Sequence, residues 1–236
     1  MSLAVTVYVP AGIVIAADSR TTMTRREVRS ADGQRVAVEQ PLVLSDNACK
    51  VMALQKVPVG VGTYGAAIIQ NRMVDNHVAA FEEAALAAED DAESVAGKLV
   101  DHFCEQFPGV AVGFYVAGYR SEQERAVPYV FHCNTTSEPH VKRLNQDDSG
   151  KIVFGVARGG DTLIANRLIA KDYLPIFSAM PLQDAVDYAI HLIRTTIDEL
   201  RFEPRFPSVG GPIDVLVITP SGMRFVQRKE LHGLSD

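Results

Sequence analysis

Two short runs rich in Val and Ile, residues 3–9 and 13–17, flank Pro10-Ala11-Gly12 at the start of the chain. Apolar runs of that length around a Pro/Gly turn read as strand, turn and strand. A hairpin there folds the chain back onto its own beginning. With the turn centred near Ala11, antiparallel pairing sets Ala4 opposite Asp18 and Ser2 opposite Arg20. If Met1 is removed, the amine and hydroxyl of Ser2 share a corner with Asp18. A terminal Ser holds a nucleophile and, in its own α-amine, a base whose ordinary pKa of about 7.7–8.0 lies near neutrality.

Composition narrows the frame around that corner. The 236 residues carry no Pro/Ser/Gly-rich linker or charge block that divides them, so one domain, 1–236, is expected. A hydrophobic share of 47% against 22% charged residues supplies a large core. The net charge of −6 argues against nucleic acid as a partner. Cys49, Cys104 and Cys133 are odd in number and lack metal-ligand spacing, which favours reduced thiols in a cytoplasmic protein. His77, His102, His132, His140, His191 and His232 form no ligand pattern either, so neither a metal nor another cofactor is expected. No run reaches the length of a membrane span, and no basic segment with an apolar core marks export.

Along the chain, residues 21–47 are polar and read as a surface excursion with a short hairpin turning at Asp32-Gly33. Residues 50–55 and 59–62 form a second hairpin around Lys56-Val57-Pro58. Helical periods follow over 64–88 and 92–107. Strands are expected over 109–118, 127–133, 140–145 and 152–156. Gly159-Gly160-Asp161 then opens a helix to about Ile169, with Asp as its cap. A further amphipathic helix covers 182–200, and strands 213–219 and 223–228 meet at Pro220-Ser221-Gly222. Two strand groups, each followed by helices, imply an α+β fold in which two sheets lie between two helix layers.

The second hairpin repeats the logic of the first. Turning near Lys56, it places Lys50 opposite Gly62 at its open end. Acyl transfer needs a nucleophile, a base, a positive charge that favours the alkoxide, and a donor for the developing oxyanion. Ser2 with its amine, Asp18 with Lys50, and the N–H of Gly62 are candidates for those parts. An isolated Asp is usually a turn residue and an isolated Lys a solvated charge; their joint placement at two hairpin mouths is what singles them out.

Residues 12–20, Gly-Ile-Val-Ile-Ala-Ala-Asp-Ser-Arg, resemble the first hairpin of a proteasome β-subunit, whose nucleophile stands sixteen residues before that Asp, here Ser2. Asn47-Ala48-Cys49-Lys50-Val51 is similar to that family's lysine-bearing strand start, and residues 61–66 to its glycine-containing strand end. With Met1 directly before the nucleophile and Val209-Gly210-Gly211-Pro212 near the end, the chain resembles bacterial proteasome-like proteins, the Anbu type and the betaproteobacterial homologues. The resemblance implies a four-layer αββα sandwich of the N-terminal-nucleophile hydrolase type. It implies Ser2 as nucleophile of a threonine-type peptidase, Asp18 and Lys50 as a buried ion pair, and Gly62 as oxyanion donor. Thr22 and Tyr64 would hold an extended peptide by their backbones, Met52 and Gly60 would shape the adjoining pocket, and Arg20 and Ser208 would support the site. The implied partners are a peptide or unfolded-protein substrate and further copies of the chain in a ring or spiral.

Three features depart from the family pattern. Ser stands where Thr is usual, and Arg158-Gly159-Gly160 stands where a Ser-Gly pair is usual. The late segment Phe206-Pro207-Ser208-Val209-Gly210-Gly211 also lacks the acid that braces the terminal amine. These departures leave two other readings, a catalytically impaired structural subunit and an N-terminal-serine amidase acting on small amides. Gly60-Val61-Gly62-Thr63-Tyr64-Gly65 also matches the dinucleotide fingerprint, which requires a returning parallel strand where a second helix is expected here.

Overall fold

The first hairpin forms with β1 (Leu3–Val9) and β2 (Gly12–Ala17) joined by only Pro10 and Ala11. The computed structural model describes residues 2–31, 34–170 and 174–230, so Met1, the Asp32-Gly33 turn signal and His232 lie outside the described residues. Pairing runs from Val9↔Gly12 to Ala4↔Ala17. Leu3, not Ala4, therefore lies across from Asp18, and the Asp18 N–H donates to the Leu3 carbonyl (3.2 Å). The two-residue turn is centred half a residue earlier than the sequence suggests, and half a residue in a turn is a full residue in register.

The polar excursion is one long hairpin, β3 (Thr21–Ala31) and β4 (Gln34–Ser45), which forms a two-stranded sheet of its own. The second hairpin comprises β5 (Val51–Ala53) and β6 (Val59–Gly65). Here too the register differs by one: Val51 pairs with Gly62, and the Thr63 N–H donates to the Lys50 carbonyl (2.8 Å).

The helix expected over 64–88 is only its second half. Its first half is the end of β6 and a minimal hairpin, β7 (Ile68–Ile69) and β8 (Arg72–Met73), before α1 (Val74–Ala85). Gly65 at φ +98° and Gln70 and Asn71 at φ 48° and 62° are left-handed, which a right-handed helix cannot contain. α2 (Ala92–Gln106) follows, opened by a capping box in which Asp91 accepts from Ser94 N and Ser94 Oγ from Asp91 N, both at 3.0 Å.

The middle of the chain supplies β9 (Val112–Glu122), β10 (Arg125–Asn134), β11 (Val141–Arg143) and β12 (Gly155–Gly160). Ile152 makes only an isolated bridge to Gln146, so the strand read over 152–156 lies further on. Gly159 and Gly160 end that strand by pairing with Ala4 and Leu3; they do not open a helix. The short α3 (Leu163–Leu168) starts after Thr162, and the Asp161 carboxylate accepts from the backbone N–H of Leu163 at its first turn. α4 (Leu182–Glu199), β13 (Asp214–Thr219) and β14 (Gly222–Gln227) complete the order.

Two five-stranded antiparallel sheets result, β12-β1-β2-β13-β14 and β11-β10-β9-β6-β5. Period-two alternation along β1 explains how they stack. Leu3, Val5 and Val7 pack with Ala189, Leu192 and Ile193 of α4, whereas Ala4 and Tyr8 join Ile15, Tyr115, Ala117 and Leu216 in a cluster drawn from both sheets. A third cluster joins Phe81 and Phe103 of α1 and α2 to Phe114 and Val116 of β9. A strand buried on both faces must be apolar nearly throughout, which is why the opening run is so uniform. No helix among the described residues is long and apolar enough to cross a membrane.

Candidate active site

Asp18 emerges from the end of β2 with 1% of its surface exposed, and its carboxylate is fully engaged. Oδ1 accepts from Leu3 N (2.9 Å) and Lys50 Nζ (2.8 Å). Oδ2 accepts from Arg20 N (3.1 Å) and Gly210 N (3.0 Å). The Lys50 ammonium, delivered by the residue before β5 and itself 4% exposed, also donates to the Arg20 carbonyl (2.6 Å). Burial pulls Lys50 below the ordinary lysine value, against the opposing pull of the Asp18 carboxylate. Two ions taken out of water cost several kcal/mol each unless hydrogen bonds replace hydration, and here they do.

Ser2, Lys50, Thr63, Tyr64 and Gly65 line one cleft with Ala48, Cys49 and Met73. Ser2 is 2% exposed, and its carbonyl accepts from Asp161 N (2.7 Å). A second depression shares Ala48, Cys49 and Met73 and continues to Thr21 and Leu44, so the two form a groove past Ser2. Among the described residues no group of three or more His, Cys, Asp and Glu side chains is arranged to hold a metal ion.

Of the residues singled out from sequence, the structure brings Ser2, Asp18, Lys50 and Tyr64 together. Gly62 lies elsewhere. Because Thr63 N faces β5, its neighbours Gly62 and Tyr64 turn their N–H groups to β9, opposite Tyr115 and Gly113. Ala66 N donates to Ala111 O (2.9 Å) and keeps the same alternation. Gly65 therefore faces the β5 side at the point where β5 has already ended, and it lines the cleft. The one-residue register difference moves the candidate oxyanion donor from Gly62 to Gly65.

Gly60 also departs from expectation: a Cβ there would meet Ile218 Cδ1 at 2.6 Å, in the packing between the sheets. Met52 packs against the helix-covered cluster. Thr22 pairs with Val43 in the long hairpin, and Thr21 is the residue that borders the groove. The Tyr64 ring is seated where Cβ atoms on Gly113 and Gly159 would stand, 2.1 and 2.2 Å from its carbons, with its hydroxyl 2.5 Å from His132 Nε2.

Arg20 and Ser208 stand behind the corner. Arg20 forms a two-point pair with Asp46 (2.6 and 2.8 Å) and donates to Pro207 O (3.1 Å). Ser208 is fully buried and donates its hydroxyl to the Asp161 carboxylate, which Arg205 also meets. Asp161 thus joins Ser2, through its backbone, to Ser208 and Arg205, through its carboxylate, a link that its cap-like position before a helical period concealed. Burial alone would raise its carboxyl, but bonds from Arg205 and Ser208 outweigh that and hold it below the usual range.

No protein-family model matches this chain, and no curated protein matches it. Among solved structures it is similar to a Gly-1 mutant of Anbu from Hyphomicrobium sp. strain MC1, with a TM-score of 0.63 and 16% identity over 97% of this chain and 86% of that one. At that identity the likeness carries the fold: this chain is folded like the bacterial proteasome-like protein Anbu, as the motifs around Asp18 and Lys50 imply.

Proposed function

We propose that the chain is an N-terminal-nucleophile hydrolase of the proteasome type, a peptidase that cleaves peptide bonds by acyl transfer to Ser2 once Met1 is removed. The observation that carries this reading is the Lys50–Asp18 pair: a hydrogen-bonded ion pair almost wholly withdrawn from solvent, with Lys50 lining the same cleft as Ser2. A structural strut in that place gains little over an apolar pair. A cation held beside a hydroxyl lowers the free energy of its alkoxide.

The chemistry follows from the arrangement. The neutral α-amine of Ser2 accepts the hydroxyl proton, directly or through a water, as Oγ attacks the scissile carbonyl carbon. The Lys50 ammonium balances the developing charge, and Gly65 N–H, the strand-end donor on the cleft, receives the carbonyl oxyanion. Collapse breaks the C–N bond, with the amine's proton passing to the leaving nitrogen. A water then hydrolyses the ester and restores Ser2. The Ala48–Met73 side of the groove and Thr21 hold the peptide in an extended course.

The order of sheets and helices belongs in this reading to a four-layer αββα sandwich of one domain, with several copies assembled in a ring or spiral that secludes the clefts. Ser2→Ala tests the reading: peptide hydrolysis should fall by at least about a thousandfold, with the melting temperature unchanged. Turnover at the wild-type rate in that variant would remove Ser2 from the mechanism.

A further inference from the structure

We propose that Asp161 is a positioning residue for Ser2, closing a hydrogen-bonded ring around the start of β1 and, together with Arg205, setting the charge that the Ser2 amine experiences. The inference rests on the reading of Ser2 as nucleophile. The ring can be followed bond by bond. Asp161 N–H donates to Ser2 O (2.7 Å), and Ser208 Oγ donates to the Asp161 carboxylate. Two residues on, Gly210 N–H donates to Asp18 Oδ2 (3.0 Å), and Asp18 Oδ1 accepts from Leu3 N (2.9 Å), which returns the path to the residue after Ser2. Every side chain in the ring is at least nine-tenths buried.

Gly160 locks the ring onto its target. It is left-handed at φ +97°, and a Cβ there would stand 1.8 Å from the Ser2 carbonyl oxygen. Only glycine lets β12 approach closely enough for Asp161 to reach that carbonyl. The Ser208 hydroxyl gives its proton to Asp161 and so holds the carboxylate in place behind that bond.

The charged groups linked to this ring come from several elements: Asp18 just after β2, Lys50 just before β5, Asp161 after β12, and Arg205 with Glu203 from the loop before β13. Arg20 with Asp46, and Lys229 with Asp214, form separate pairs behind Asp18 and Ser19. Arg205 spends Nη1 on Asp161 and Nε on Glu203, while Nη2 is buried with no partner among the described residues. Removing Asp161's charge leaves Arg205 less compensated and disfavours the ammonium form of Ser2. Removing Arg205's charge does the opposite.

The test needs no turnover. The rate at which acetic anhydride acylates the N-terminal amine is followed against pH by mass spectrometry of the N-terminal peptide, in wild type, Asp161→Asn and Arg205→Gln. The limb should move to lower pH in Asp161→Asn and to higher pH in Arg205→Gln, by about half to one pH unit. Unmoved or parallel limbs would overturn the inference, even in a protein that hydrolyses peptides; opposed limbs would support it even if no peptide is cleaved. An N-terminal peptide that still begins with Met1 would also overturn it. Where Asp161→Asn does not fold, Arg205→Gln alone decides by its upward shift or its absence. In active protein, Asp161→Asn should lower kcat about 10–100-fold with KM within about twofold.

Discussion

Two ion pairs meet at Arg20, and they sit in opposite settings. Lys50–Asp18 has side-chain exposures of 4% and 0%, whereas Arg20–Asp46 has 19% and 41%. The distances, 2.8 and 2.6 Å, hardly distinguish them. Exposure does: the outer pair competes with water and gains at most about 1 kcal/mol, while in the inner pair each ion depends on the other. The inner pair lies beside the cleft and bears on its chemistry. The outer pair joins the Asp46 loop to Pro207 and serves placement.

The largest expected effect comes from breaking the inner pair. Lys50→Ala should abolish turnover and destabilise the chain by roughly 3–5 kcal/mol, because Asp18 is left charged and unpaired; denaturant titration and peptide hydrolysis read the two effects. Gly160→Ala should follow, with kcat down about a hundredfold and about 1–3 kcal/mol of strain. Gly109→Ala is its control: φ is +78° there, yet nothing lies within 4 Å of a Cβ, so stability should fall while kcat holds. Arg20→Ala, which opens the outer pair, should reduce kcat only several-fold. Full activity loss in Arg20→Ala with little in Lys50→Ala would reverse the comparison.

A smaller effect concerns pH. Asp161 titrates lower in the folded chain than the unfolded value of about 3.9, so its stabilising contribution is fully present above that pH and is lost as pH falls through its folded value. Asp161→Asn should therefore be less stable than wild type at neutral pH, with the gap closing in acid. Chemical denaturation at several pH values checks it, and a gap that widens in acid would contradict the assignment.

Much of the fold was legible because β1 and β2 are buried on both faces, which leaves an uninterrupted apolar signature around one turn. Asp18 and Lys50 were legible for a related reason: each stands where such a run begins or ends. Register was not. Both hairpins turn half a residue from the centres expected near Ala11 and Lys56, and in the second this moved Gly65 into the place expected for Gly62. The run Ala66-Ala67-Ile68-Ile69 fits a helix or a short strand equally well, and only the left-handed Gln70-Asn71 turn separates them. Asp161 was hidden because an acid before a helical period looks like a cap; its partners, Arg205 and Ser208, are 44 and 47 residues away.

Intact-mass measurement of the purified protein, before and after treatment with a peptide epoxyketone, tests the central claim most directly. The result expected is loss of Met1 and gain of one inhibitor mass per chain, mapped to Ser2 and absent in Lys50→Ala. Quantitative retention of Met1 in protein that hydrolyses peptides would contradict the mechanism, because Ser2 would then have no free amine with which to act.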